Sequence, residues 1–394
     1  MKNILYYLKK FGHCTFEERP FSDVDSLILS AMSYMMFDGV VPALGEEKDS
    51  VGIGRLQSEF VLNRLVVNTM DPKLNRKLWR LLAACPRFKE MRLHYLRDVT
   101  DDGIIEQFAA VTCLLPGEGL HICFRGTDLT LLGWKEDFNM SFETEVPAQR
   151  DAVAYAQRVA AAIDLPLIVG GHSKGGNLAA YAGMFVDEAT RARIQTVYNF
   201  DGPGFNEATI SSEAFGKVDM RIRTFVPQSS MIGILMWHRE PFTIVRSNGV
   251  GVFQHDAYTW QILGGGFMTL TERTGHSHFA DDTIKRWLEE LSPDMRRQAI
   301  DGIYAVLSAS GGMNVSELFE ARNTMSVLKA AGAMDEKTKS AVLEAFRLLG
   351  SSMIGGVPAW LERTASTVAQ KMPWEQRREE AKAHAEQQPP ELAK

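Results

Sequence analysis

The sequence predicts an α/β fold: a mostly parallel sheet with helices on both faces and helical extensions at either end. Three observations carry this. Short apolar runs alternate with helical patterns between about residues 105 and 262, one apolar run ends in a glycine-bracketed serine directly ahead of a helix, and both flanks keep helical spacing.

Each zone follows from its residues. Up to about residue 100 the pattern is helical. Ser22-Asp23-Val24-Asp25 offers N-caps ahead of Leu27, Ile28, Leu29 and Met32, and further runs lie at Leu62 to Val67 and Trp79 to Ala84. The middle zone holds strand-like runs at Phe108 to Leu115, Ile122 to Phe124, Leu165 to Val169, Val197 to Phe200, Thr224 to Val226 and Phe242 to Val245. Helical patterns at Ala148 to Ile163 and Asn177 to Phe185 separate them, which implies βαβ units. Pro116-Gly117-Glu118-Gly119 reads as the turn of an antiparallel hairpin at the sheet's edge.

From about residue 280 the helical spacing returns, through Leu291, Met295, Ile300 and Ile303. A further helix is expected from Asp335, with Ala341, Val342, Ala345 and Phe346 on one face and Gly350 as its stop. The expected organisation is a helical N-terminal extension over 1–104, an α/β core over 105–280, a helical region over 281–374 and a charged tail over 375–394.

Composition narrows the function. The 394 residues carry 43 Lys plus Arg against 49 Asp plus Glu, a net charge of -6, which argues against nucleic acid as the main partner. Cys14, Cys85, Cys113 and Cys123 form no CxxC pair, so neither a disulfide framework nor a zinc site is expected. The N-terminal MKNILYYLKKFGHC lacks the pattern of a secretory leader, and no transmembrane segment stands out. These features read as a reduced, cytoplasmic protein.

Gly171-His172-Ser173-Lys174-Gly175 carries the chemistry. A strand reversing sharply into a helix forces positive φ at the serine, and the residues two positions away must lack bulk. Such a turn exposes the Ser173 hydroxyl at the sheet's C-terminal edge and aims the Lys174 N–H where an oxyanion forms. The bland alternative is a glycine-rich turn with a buried serine. A Walker A phosphate loop is disfavoured, because Lys174 follows the serine. Upstream, the strand ending in Arg125-Gly126-Thr127 brings the Thr127 N–H, and its hydroxyl, beside the Lys174 N–H, with Gly126 allowing close approach.

Phe124-Arg-Gly-Thr127, Trp134-x-x-Asp137 and the Gly-His-Ser-Lys-Gly segment together resemble the class 3 lipases of the α/β-hydrolase fold, over roughly residues 105–262. The chain as a whole also resembles a bacterial family with a lipase-like core, through Asn199-Phe-Asp-Gly-Pro-Gly-Phe205, Val226-Pro-Gln-Ser-Ser230 and Gln254-His255…Trp260. The resemblance implies a serine hydrolase with Ser173 as nucleophile and Thr127 at the oxyanion position.

Triad order in this fold places the base downstream, among His238, His255, His276 and His278. His255 is favoured because it follows the last expected strands and precedes Tyr258 and Trp260; its bland reading is a surface loop residue. His276-Ser-His278 with Asp281 gives only a weak metal pattern. For the acid, the class 3 position is occupied by Thr224, a departure from the pattern. Asp201, in its Asp-Gly-Pro turn, is the candidate acid, with Asp256 the second choice.

The expected activity is hydrolysis of carboxylic esters or lipids through Ser173, His255 and Asp201, with Thr127 and Lys174 N–H groups holding the oxyanion. No metal or organic cofactor is implied, and the partner is a small ester or lipid substrate. The apolar segment 128–146, with Leu131, Leu132, Trp134 and Phe138, reads as a lid or acyl wall, or as a helix packed on the core. The competing reading is an inactive hydrolase-like binding scaffold.

Overall fold

The computed structural model describes residues 2–46, 50–128, 130–308, 335–340 and 342. Helices α1 (Ile4–Phe11), α2 (Asp23–Met32), α3 (Glu59–Val66) and α4 (Pro72–Ala84) open the chain, with β1 (Val51–Gly52) among them. Then come β2 (Arg92–Asp101), β3 (Glu106–Leu115), β4 (Gly119–Phe124), α5 (Leu131–Asn139), α6 (Pro147–Ala162) and β5 (Leu167–His172). Next are α7 (Lys174–Phe185), α8 (Glu188–Arg193), β6 (Ile194–Phe200), α9 (Glu207–Ile210), α10 (Glu213–Gly216), β7 (Ile222–Pro227) and β8 (Phe242–Val245). Short strands β9 (Ile262–Leu263), β10 (Gly266–Phe267) and β11 (Thr269–Leu270) precede α11 (Gly275–Glu290) and α12 (Pro293–Ser308).

The main sheet has nine strands in the order β1-β2-β3-β4-β5-β6-β7-β8-β11. It is mixed rather than mostly parallel. Ladders from β4 to β8 are parallel, whereas β1 to β4 and the β8–β11 pair are antiparallel. The physical reason is connection length. Only a few residues link β2 to β3 and β3 to β4, and so short a link can join only antiparallel neighbours.

The hairpin at 116–118 forms as expected, with Thr112 opposite Ile122, but it lies inside the sheet because β2 covers the outer side of β3. The helical reading of the first hundred residues passes over β2, and the sheet therefore begins before residue 105. Its sequence, RLHYLRDVTD, has no apolar run, and a bulge between His94 and Arg97 breaks its alternation.

From β4 to β8 the strand order never reverses. Right-handed crossovers then put their helices on one face and leave the other bare. Residue alternation along each strand matches this. Ile122, Val169 and Val197 pack with Ala152 and Val159 of α6 and Leu178 of α7. Their neighbours Cys123, Ile168 and Tyr198 pack with Leu27 and Ile28 of α2 and Trp79 of α4. The N-terminal helices are thus the second cover of the sheet.

Asp25 of α2 fixes that cover. It has no solvent exposure and takes the Arg87 Nε at 2.7 Å and the Arg87 terminal nitrogen at 2.6 Å, while Arg87 also donates to the Arg19 and Pro20 carbonyls.

Asp335 caps residues 336–340 by accepting the Thr338 N–H at 3.0 Å. The remainder of the helix expected from Asp335, Val342 excepted, and the charged tail lie outside the described residues.

Candidate active site

At the end of β5 the chain turns into α7 through Ser173, whose φ of 58° and ψ of -135° lie in the left-handed half of backbone space. The bracketing glycines are required by contact. A Cβ on Gly171 would overlap the Gly175 carbonyl, and one on Gly175 would overlap the Phe124 carbonyl of β4. The strained turn is therefore wedged against the neighbouring strand. Ser173 is only 8% exposed, so the hydroxyl is less open than the turn alone implies. The loops after β4 and β6 pack against it, for a Cβ on Gly126 or on Gly202 would meet Ser173 itself.

Asp201 directly follows β6, the strand beside β5, and also has positive φ, 51°. It is fully buried, yet its carboxylate is satisfied. Oδ1 accepts the Ser230 hydroxyl and the Gly233 N–H (3.1 Å), and Oδ2 lies 2.7 Å from His255 Nδ1. Asp201 does not cap its own turn; Asn199 does, accepting the Gly202 N–H at 2.9 Å. A Cβ on Gly202 would overlap the Ser173 carbonyl oxygen, which shows how tightly the two strand ends abut.

His255 closes a 3-10 turn, Gly251–His255, and its side chain is 23% exposed. A carboxylate only accepts, so His255 Nδ1 carries the proton and, in the neutral ring, Nε2 presents a lone pair. Among the described residues, neither Ser173 Oγ nor His255 Nε2 makes a hydrogen bond. Asp256 does not orient His255; its carboxylate accepts the Tyr258 N–H at 2.9 Å.

Thr224, at the class 3 acid position, donates to Glu240 (2.7 Å), and Glu240 also holds His238 Nδ1 (3.0 Å). Thr224 and Glu240 are buried, and Glu240 spends its Oε1 on Thr224 and His238 rather than on His255. His278 is exposed beside Arg273, and the His276 side chain lies outside the described residues.

Gly126 brings the loop after β4 against the turn, because a Cβ there would reach Ser173 Cβ at 3.0 Å. Among the described residues, the N–H groups of Thr127 and Lys174 carry no hydrogen bond, and Lys174 begins α7, where the helix dipole favours negative charge. The Thr127 hydroxyl, expected beside the oxyanion, instead donates to Asp137.

The Lys174 side chain turns inward with no exposure. Its Nζ reaches the Gln107 carbonyl and side-chain oxygens (2.7 Å each) and Glu136 Oε2 (3.0 Å). Burial pushes Asp137 up to about 6, with Lys174 and the Thr127 hydroxyl acting against the rise.

Within the segment 128–146, Leu131, Leu132 and Met140 are buried whereas Trp134 and Phe138 are largely exposed. Helix α5 is thus packed on the core and keeps two aromatic rings outside.

Tyr34, Gln107, Glu136, Ser230 and Gly233 also meet at these strand ends, and the sequence pattern does not single them out. Only Ser230 left a trace, in the Val-Pro-Gln-Ser-Ser segment; the others act through contacts that no spacing encodes. Among the described residues no helix is long and apolar enough to cross a membrane.

The model of the Mbeg1-like family matches residues 82–305. No curated protein matches the chain. A solved structure, the crystal structure of M37 lipase, is similar at 15% identity and a TM-score of 0.33, covering 54% of this chain and 70% of that one.

Proposed function

The chain belongs to the Mbeg1-like family, which is lipase-like, and from that premise we propose that it is a serine hydrolase of carboxylic esters or lipids. In this reading Ser173 is the nucleophile, His255 the base and Asp201 the acid that orients it. The observation that carries the reading is the 2.7 Å contact between His255 Nδ1 and Asp201 Oδ2 at the strand end beside Ser173. That contact leaves Nε2 of the neutral ring as a proton acceptor.

His255 Nε2 takes the proton of Ser173 Oγ as the oxygen attacks the ester carbonyl carbon. The oxyanion is held by the Thr127 and Lys174 N–H groups. Collapse expels the alcohol, which takes the proton from His255. Water then repeats the sequence on the acyl-serine and releases the acid.

One observation favours a second reading, a hydrolase-like scaffold that does not catalyse: Ser173 is 8% exposed and unbonded to His255. A fluorophosphonate probe and a series of p-nitrophenyl esters decide between them. Labelling of the wild type, lost in Ser173→Ala, with turnover reduced by about 10⁴ in Asp201→Asn, supports the hydrolase. Folded wild-type protein that neither labels nor turns over ester gives the scaffold. Near-normal turnover in Asp201→Asn rejects the acid.

A further inference from the structure

His172 stands between Gly171 and Ser173 in the turn, and it does not face solvent; its ring lies against His255, with centroids 4.4 Å apart and planes at 36°. His172 Nε2 is 2.7 Å from the backbone carbonyl oxygen of His255. A carbonyl only accepts, so His172 Nε2 carries a proton. Burial, and then the neighbouring His255, hold this ring well below the usual imidazole range, so it is neutral and Nδ1 is bare. The Tyr34 hydroxyl, 3.1 Å from Nδ1, is therefore the donor there, and its oxygen also lies 3.3 Å from the His172 carbonyl oxygen.

Tyr34 stands just past α2, whose position is set by the buried Asp25–Arg87 pair. Its hydroxyl also fills the space where a Cβ on Gly126 would sit, in the loop that carries Thr127. One phenol thus touches the N-terminal cover, the loop after β4 and the turn before Ser173.

We propose that Tyr34 and His172 are positioning residues, a strut that runs from the N-terminal helices to the backbone of His255 and sets the height of its ring. Asp201 holds the ring at Nδ1, and His172 holds the main chain that bears it. Two anchors fix where Nε2 points, whereas one leaves the ring free to swing about the Asp201 contact. The N-terminal helices are on this account part of the site. The inference rests on the reading of Ser173 and His255 as nucleophile and base.

The test uses the full chain with Tyr34→Phe, His172→Phe and His172→Gln, read by ester kinetics, fluorophosphonate labelling rate and long-range ¹H–¹⁵N spectra of the imidazoles. Tyr34→Phe removes one oxygen atom, so folding is preserved. The expected kcat falls roughly 10-fold in Tyr34→Phe and roughly 100-fold in His172→Phe with KM changed less than about twofold, the scale set by a misplaced catalytic group. His172→Gln keeps an N–H donor and recovers part of the loss.

Wild-type spectra show His172 as the neutral Nε2–H tautomer, and Tyr34→Phe alters its Nδ1 shift. Wild-type kcat in both Tyr34→Phe and His172→Phe, or a His172 that is charged or protonated at Nδ1, overturns the strut. A wild type that neither labels nor turns over ester defeats the hydrolase reading instead; the spectra then still judge the Tyr34–His172–His255 linkage on its own.

Discussion

Lys174 Nζ lies 3.0 Å from Glu136 Oε2, and neither side chain has any solvent exposure. The pair joins the helix that follows Ser173 to the helix that follows Thr127, so the two N–H groups read as oxyanion donors are borne by elements fastened to each other. Glu136 is further fixed by accepting the Gln107 and Ala148 N–H groups at 3.0 Å each. A buried pair of this kind contributes little relative to an apolar filling of the same shape, but removing one member strands the other.

Lys174→Met therefore destabilises the protein by about 3–5 kcal/mol. The double variant Lys174→Met with Glu136→Leu loses less than the sum of its single changes. The backbone N–H at 174 is unchanged by the substitution, so the folded fraction still labels at Ser173. Urea denaturation of the two single variants and the double variant measures the coupling. A cost below about 1 kcal/mol for Lys174→Met contradicts the role given to the pair.

Asp137 supplies a pH dependence. Its carboxyl is pushed up to about 6 by burial, above its ordinary value of 3.8. Between those two values the native state holds a proton that the unfolded chain has released, so the contribution of this group to stability falls as pH rises. The slope is at most about 1.4 kcal/mol per pH unit for one proton. Well above pH 6 both states are ionised and the slope vanishes. Asp137→Asn removes this slope, so the difference in unfolding free energy between variant and wild type moves in favour of the variant from about pH 4 to 6. Equal slopes in the two proteins refute the shift.

The sequence made the parallel core legible because its strands are short apolar runs and its turn is bracketed by glycines that only close approach demands. It concealed β2, where Arg92, His94, Arg97 and Asp98 interrupt any apolar pattern and Tyr95 has positive φ. It also concealed what Lys174 does with its side chain. A lysine at a helix start reads as a solvated residue, and only the approach of Gln107 and Glu136 turns it inward. Asp201 was legible through its Gly-Pro turn, but Ser230 and Gly233, which satisfy its second oxygen, come from a loop some thirty residues later whose path depends on the packed sheet. His172 and Tyr34 are 138 residues apart, a separation at which pattern carries no contact information.

Backbone strain at Ser173 gives the last prediction. A residue with a Cβ at φ 58° and ψ -135° costs of order 1–3 kcal/mol relative to an unstrained conformation. Glycine adopts these angles without the steric penalty, although it adds about 0.4–1 kcal/mol of entropy to the unfolded chain. The strain outweighs the entropy, so Ser173→Gly is more stable than Ser173→Ala, by about 1 kcal/mol. The comparison with alanine removes the hydroxyl from both variants and leaves the Cβ as the difference between them. On the proposed reading both are inert toward the fluorophosphonate probe, so the comparison reads the backbone at 173 alone. Thermal unfolding of the two variants side by side measures the difference. Alanine equal to or more stable than glycine at 173 means that the turn is relaxed and Ser173 unstrained.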